Sequence, residues 1–267
     1  MSIGGSFPFF KYHGAGNDFI MVDHRAGFHF DLVDEAFIRL LCDRHFGIGA
    51  DGLISLQSHA AADFEMKYFN ADGREGSMCG NGGRCTVAFA YQMGIRKDHY
   101  QFLAVDGLHE AFLRERGWVE LKMGDVAAVE VGEGYFFLDT GSPHYVRFVD
   151  DLAGLDVCAE GRAIRYNDRF RQKGTNVNFV APDGDGIAVA TYERGVEDET
   201  LSCGTGITAS ALVTALKNDM TGNSPIRIPV MAKGGQLEVR FEHSSAGFRN
   251  IWLCGPTRLV FEGSFPL

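Results

Sequence analysis

Two stretches of this 267-residue chain put a cysteine at the head of a glycine-rich turn and follow it with an apolar run. The first, Ser77-Met78-Cys79-Gly80-Asn81-Gly82-Gly83-Arg84, leads into Val87, Ala88, Phe89 and Ala90. The second, Ser202-Cys203-Gly204-Thr205-Gly206, leads into Ile207, Ala209, Ala211, Leu212 and Val213. A cysteine just before a helix sits beside N–H groups outside the helix's own hydrogen-bond ladder, at the positive end of the dipole, where its thiolate is favoured. The same N–H groups can hold a carboxylate. Two such turns facing one bound acid would place an ionisable sulfur on either side of it, the layout of a two-base proton-transfer site.

A free thiol titrates near pKa ~8.5, and bringing it to about 7 takes roughly 2 kcal/mol of preference for the thiolate. A helix end contributes about 0.3–1 kcal/mol, so each cysteine needs an orienting or basic neighbour as well. His144, in Gly141-Ser142-Pro143-His144, and Glu193, in Tyr192-Glu193-Arg194-Gly195, are the loop-borne candidates. A lone histidine is more often structural, so spacing alone does not decide for His144. A carboxylate raises the pKa of a neighbouring thiol, which leaves Glu193 to act as a proton acceptor or a substrate ligand. Arg194 offers a planar fork of donors for a carboxylate. Asn17, Asn70 and Asn176 stand at glycine-bounded strand ends, where each can donate and accept, although singly such residues are usually turn formers.

The elements that must position these groups follow from the pattern. Phe10 to Asp23 predicts two short strands around the Gly14-Ala15-Gly16 loop, which brings Asn17 towards a ligand. Asp34 and Glu35 suit the first turn of a packing helix with Phe37, Leu40 and Leu41 inward and Gly47 as its stop. The glycine-rich run Phe46 to Ile54 lacks the lysine and Ser/Thr of a P-loop, which argues against nucleotide binding. Phe64, Met66 and Tyr68 alternate in a strand that ends at Asn70. A buried helix is expected from about Arg84 to Met93, stopping at Gly94, followed by a meander of Tyr100–Val105, Leu108–Arg114 and Trp118–Met123. From about Met123 the order repeats: strands Tyr135–Leu138, Thr175–Val180 and Ile187–Tyr192, the second buried helix, then a meander of Ile226–Met231, Leu237–Phe241 and Phe248–Cys254. Arg258–Phe261 is expected to return to the first half as a strand.

The chain carries 25 Lys plus Arg against 35 Asp plus Glu, a formal charge of −10, which excludes a broad electrostatic footprint for nucleic acid or an anionic membrane. No basic leader or membrane-length apolar run is seen, so a cytoplasmic location is expected. The six cysteines lack paired C-x-x-C spacing, so no metal site or disulfide framework is expected, and Cys42, Cys85, Cys158 and Cys254 read as small buried hydrophobes.

From His13 to the end, the motifs H-G-A-G-N-D-F, F-N-A-D-G, C-G-N-G-G-R-C, G-S-P-H, Y-E-R-G and C-G-T-G occur in one order. In this the chain resembles the pyridoxal-phosphate-independent diaminopimelate epimerases. The resemblance implies an α+β fold of two pseudo-symmetric halves, each a mostly antiparallel sheet wrapped around a central apolar helix, with the active site in the cleft between them. The expected halves are 1–122, with the return strand 258–267, and 123–257. It further implies conversion of LL- to meso-diaminopimelate in lysine and peptidoglycan biosynthesis without metal or cofactor, and it allows a homodimer. Cys79 and Cys203 would be the acid/base residues and His144 and Glu193 their assistants. Gly80, Asn81, Gly204 and Thr205 would offer backbone donors to the reacting carboxylate. Asn17, Asn70, Asn176, Glu193 and Arg194 would recognise the rest of the substrate. Gly52 stands where many members have glutamine, and Ser142 replaces the asparagine of G-N-P-H, so substrate choice is less firmly implied than chemistry. A related cofactor-free racemase or isomerase with another substrate is the alternative. A thiol redox or binding protein on the same fold is a more remote one.

Overall fold

Ala15 and Gly16 take φ of 50° and 86°, and these two successive positive values close a tight hairpin between strands β1 (Ser6–Gly14) and β2 (Asn17–Asp23). The computed structural model describes residues 5–267, which divide into two units: residues up to Leu121 with Pro256–Leu267, and Lys122–Gly255.

In the first unit, β2 is followed by helix α1 (Glu35–Cys42), strands β3 (Gly52–Gln57) and β4 (Phe64–Asn70), and helix α2 (Gly80–Gln92). Strands β5 (His99–Ala104), β6 (Gly107–Leu113) and β7 (Trp118–Lys122) complete the run. β2 pairs with β3, and β4 with β5, in parallel across a helix; the pairs β1–β2, β3–β4, β5–β6 and β6–β7 are antiparallel.

The second unit contains strands β8 (Glu130–Val131), β9 (Phe136–Asp139) and β10 (Pro143–Phe148), helix α3 (Val157–Arg165), and strands β11 (Asn176–Asp183), β12 (Gly186–Glu193) and β13 (Asp198–Thr200). Helix α4 (Gly204–Lys217) and strands β14 (Gly222–Ala232), β15 (Gly235–Ser244) and β16 (Gly247–Pro256) follow. Here β10–β11 and β12–β14 are the parallel pairs across helices, and β9–β10, β11–β12, β14–β15 and β15–β16 are antiparallel. The two units therefore share one order of pairings, an α+β duplication visible in connectivity. Strand β17 (Arg258–Pro266) pairs antiparallel with β1, from Ser6 opposite Pro266 to His13 opposite Arg258.

Helices α2 and α4 are the centres of their units. Each has buried residues around its circumference, as a helix enclosed by sheet must. α2 touches β1, β2, β3, β4 and β6; α4 touches β9, β10, β11, β12, β14 and β15. Their C-termini close alike. Gly94, at φ 94°, donates to the Tyr91 carbonyl and Ile95 to Ala90; Asp219, at φ 50°, donates to Leu216 and Met220 to Ala215. These paired bonds satisfy carbonyls that the helix itself leaves open.

Several expectations are corrected. α2 begins at Gly80, not near Arg84. In α1 the buried residues are Ile38, Leu41 and Cys42, while Leu40 is 42% exposed. Asp34 is its N-cap, accepting from Phe37 N, and the helix ends at Cys42, five residues before Gly47. Gly47 instead lets the following loop cross the helix end, since an added Cβ would lie 1.9 Å from the Leu40 carbonyl oxygen. That loop runs into a strand, β3, so the anion-binding helix of a P-loop is missing. α3 has no counterpart in the sequence reading. Its middle residue, Gly161, lowers helix propensity and hides the signal, yet it is needed because a Cβ there would lie 2.3 Å from Tyr192 Cβ. No helix among the described residues is long and apolar enough to cross a membrane.

Alanine in a helix interior ordinarily stabilises by about 1 kcal/mol relative to glycine. At Gly161 the close approach of Tyr192 reverses the sign, and Gly161→Ala should lower stability by about 1–3 kcal/mol in urea unfolding. A stabilised variant would contradict the packing of α3 on β12.

Candidate active site

Cys79 and Cys203 are the N-cap residues of α2 and α4, with nearly equal backbone angles: φ −102°, ψ 124° and φ −101°, ψ 107°. Their carbonyls open the helical ladders, accepting from Gly83 N at 2.7 Å and Ile207 N at 2.8 Å. Neither thiol caps its own helix. Each sulfur is therefore held at the positive helix end with its side chain directed to other partners.

In the first unit those partners form a chain of fixed polarity. Buried Arg84 donates from Nη2 to Asn81 Oδ1 at 2.8 Å, and Asn81 Nδ2 donates to Asn17 Oδ1 at 3.2 Å. Asn17 Nδ2 in turn donates to Asp51 Oδ2 at 2.7 Å. A guanidinium only donates and a carboxylate only accepts, so both amide orientations are fixed. The Cys79 thiol, 3.5 Å from Asn17 Oδ1, thus faces an acceptor. Behind Asp51, Arg44 bridges Asp51 and Asp18, and Lys11 pairs with Asp18 at 2.8 Å. Burial alone would raise the Asp18 carboxyl, but Arg44 and Lys11 hold it well below the usual carboxylate range. Gly14 lets this hairpin reach the helix start, its Cα lying where an added Cβ would meet the Asn81 carbonyl oxygen at 3.1 Å.

In the second unit the sulfur meets a hydroxyl. Cys203 Sγ lies 3.6 Å from Thr205 Oγ1, and Thr205 Oγ1 lies 2.9 Å from His144 Nε2. His144, on β10, is fully buried. Its Nδ1 is 2.9 Å from Asn178 Nδ2, which also donates to the Tyr145 carbonyl at 3.1 Å, while Asn178 Oδ1 accepts from Thr191 at 2.9 Å. Burial, aided by the Arg194 charge, pushes the His144 pKa down to about 3, against the opposing Asn178 contact, so the ring is neutral. Gly206 makes this approach feasible, because a Cβ there would lie 2.3 Å from Asn178 Oδ1.

The remaining expected site residues fall into place less uniformly. Asn176 is only 3% exposed, and its amide holds protein groups. Nδ2 donates to Ser142 Oγ at 2.8 Å and the Pro143 carbonyl at 3.2 Å, and Oδ1 accepts from Arg194 N at 2.9 Å. Arg194 is exposed, with Nη1 donating to the Lys173 carbonyl at 3.1 Å, and Glu193 is half-buried at the end of β12. Asn70, exposed at the end of β4, shapes the Asn70–Gly73 turn, where Gly73 N donates to its carbonyl. At Gly52, paired with Asn70 across β3 and β4, an added Cβ would lie 2.5 Å from both the Phe69 carbonyl oxygen and Tyr68 Cε2. At Gly76 it would lie 2.7 Å from Tyr68 Cε1. The Tyr68 ring fills the slot between these two glycines, so no side chain fits at position 52 while the ring is there.

Sequence reasoning missed Asn178 and the hydroxyl of Thr205, which it had used only for its backbone N–H. A signal existed: in Asn176-Val177-Asn178 the two amides share one face of a strand. Among the other thiols, burial pushes Cys42 up to about 12 and Cys85 still higher, leaving both inert. Cys158 departs from the buried reading: it is half-buried and donates to Asp198 at 2.8 Å. Among the described residues no group of three or more His, Cys, Asp or Glu is arranged to hold a metal ion.

Solved structures of similar fold include a phenazine biosynthesis protein of the PhzF family from Bacillus anthracis, with a TM-score of 0.75 at 15% identity over 98% of this chain and 100% of that one. A probable proline racemase from Agrobacterium radiobacter aligns with a TM-score of 0.68 at 15% identity, covering 97% and 93%. Curated relatives are nearer in sequence. The diaminopimelate epimerase of Flavobacterium psychrophilum is 48% identical over 95% of this chain and 98% of its own, and that of Chlorobaculum tepidum 45% identical over 95% and 99%. The family model for diaminopimelate epimerase matches residues 9–129 and 136–259. With both cysteine-headed helices inside the matched segments, the chain belongs to the diaminopimelate epimerase family.

Proposed function

We propose that this protein interconverts LL- and meso-diaminopimelate for lysine biosynthesis in the cytoplasm, using Cys79 and Cys203 as the acid/base pair. The observation that carries this is the equivalence of the two helix starts: two thiols at the same place in two units of the same connectivity, in a chain of this family. Epimerisation needs a base on one face of the α-carbon and an acid on the other. A thiolate removes the α-proton, becoming a thiol and leaving the electron pair on the substrate's carboxyl-stabilised carbanion. The other thiol delivers its proton to the opposite face and becomes the thiolate. The configuration inverts, no electrons leave the substrate, and the proton inventory is restored by exchange with solvent before the next turnover.

Backbone N–H groups at the starts of α2 and α4 are suited to hold the carboxylate of the reacting centre as charge develops on it. Arg194 is assigned to the distal carboxylate, with Asn176 fixing its backbone and Ser142 in place. Asn17 is assigned to orient Cys79, and His144 to support Cys203. Glu193 is assigned as a proton acceptor or a ligand of the distal ammonium. A racemase acting on another amino acid is the second reading, favoured by one feature: Gly52 and Tyr68 leave no room for an amide at position 52.

Positioned acid–base groups are worth about 10²–10⁴-fold each, so Cys79→Ala and Cys203→Ala should each lower kcat for LL-diaminopimelate by that order. Undiminished turnover in either variant would remove that cysteine from the mechanism. Arg194→Lys keeps the charge but loses the fork, and should weaken substrate binding by about 1.5–3 kcal/mol. Equal affinity in that variant, or equal turnover of monocarboxylate amino acids by the parent, would contradict the assignment of the distal pocket.

A further inference from the structure

Thr205 stands between His144 and Cys203, so the direction of the hydrogen bonds along this line decides what the histidine does for the sulfur. That direction is fixed from the far end. The Tyr145 carbonyl can only accept, so the nitrogen of the Asn178 amide must face it, and the second hydrogen of the same nitrogen points at His144 Nδ1. The donation from Thr191 to Asn178 Oδ1 holds the amide in the same orientation. Nδ1 is then an acceptor, and in a neutral ring the single proton resides on Nε2. From there it points at Thr205 Oγ1, which leaves the threonine's own hydrogen for Cys203 Sγ.

We infer that Asn178 is a positioning residue: it holds His144 as an Nε2–H donor whose effect reaches Cys203 through the Thr205 hydroxyl, favouring the thiolate there. His144 then supports Cys203 by donating, and does not take its proton. The ring's burial and the neighbouring Arg194 charge, from the end of β12, both disfavour an imidazolium. The contrast with the first unit strengthens the inference. Cys79 faces Asn17 Oδ1, an acceptor whose orientation is fixed by Arg84 at one end of its chain and Asp51 at the other. One sulfur thus meets a donor and the other an acceptor, a difference that favours the thiolate on Cys203 and the thiol on Cys79. Gly206 belongs to the same device, since any side chain there would displace the Asn178 amide.

The inference deepens the proposed epimerase function, but its primary test needs no turnover. In the folded wild-type protein labelled with ¹⁵N-histidine, His144 is assigned by comparison with His144→Gln, and its ring nitrogens are followed from pH 5 to 8. The expected signature is an unprotonated Nδ1 and a protonated Nε2, unchanged across the range. A proton on Nδ1, or an imidazolium near neutral pH, would overturn the assignment whether or not the protein epimerises anything. Asn178→Asp supplies the kinetic test: its carboxylate accepts from Nδ1–H, the tautomer flips, and Thr205 turns its hydrogen to Nε2. Loss of a charged hydrogen bond at the sulfur should move the acid limb of kcat/KM for LL-diaminopimelate upward by about one to two pH units. An unmoved limb in a folded Asn178→Asp variant would overturn the inference. Thr205→Val should show the same displacement and Thr205→Ser should reverse most of it; equal profiles for these two would also count against the relay. If the wild type fails to exchange the substrate α-proton, the proposed function fails, while the tautomer result stands separately.

Discussion

A helix wrapped by sheet on its sides can meet a ligand only at its end, and that end carries N–H groups the helix cannot satisfy itself. Both central helices here face this constraint, and both answer it with a cysteine N-cap followed by glycines. The thiol does not close over the helix as serine or aspartate would, so the positive end stays open to a carboxylate. Glycines also let neighbouring elements approach: Gly14, in the first hairpin, comes up against the start of α2 in one unit, and Gly206, in the first turn of α4, admits the Asn178 amide in the other. The sheet order that encloses the helix and the chemistry at its tip are consequences of one arrangement.

The polar surroundings of the two tips are built on different principles from the same scaffold. In the first unit the chain of amides is anchored by opposite charges, Arg84 at one end and Asp51 at the other. In the second the Asn178 amide is anchored by the Tyr145 carbonyl on its nitrogen and the Thr191 hydroxyl on its oxygen. Such anchoring matters because a buried amide that could rotate would present either a donor or an acceptor to the sulfur. Duplicated connectivity therefore coexists with opposite hydrogen-bond polarity, as suits the proposed pairing of one base with one acid.

Much of this was legible in the sequence because it is local. The cysteine turns, the hairpin at Ala15–Gly16, the stop at Gly94 and the meanders follow from glycine placement and alternation. What escaped was set by packing. α3 was hidden by Gly161, a residue chosen for the approach of Tyr192 and not for helicity. The inward face of α1 was misread because Leu40 fits the spacing but points to solvent while Ile38 is buried. That the Asn176 side chain ties Ser142, Pro143 and Arg194 together was likewise not legible locally. Asn178 was missed because nothing local distinguishes an amide that orients a histidine from one that fills a strand. Gly52 read as a lost amide, and only the fold shows that the Tyr68 ring occupies the slot.

The most direct measurement of the two-thiol mechanism is a single turnover of LL-diaminopimelate in deuterated water, with hydrogen content at the inverted carbon read by mass spectrometry in product and recovered substrate. Two monoprotic groups on opposite faces predict meso product carrying solvent deuterium, while substrate recovered early in the reaction still carries its original hydrogen. Product that retains the substrate's own α-hydrogen would mean that one group serves both faces, and would contradict the assignment of Cys79 and Cys203 as a pair.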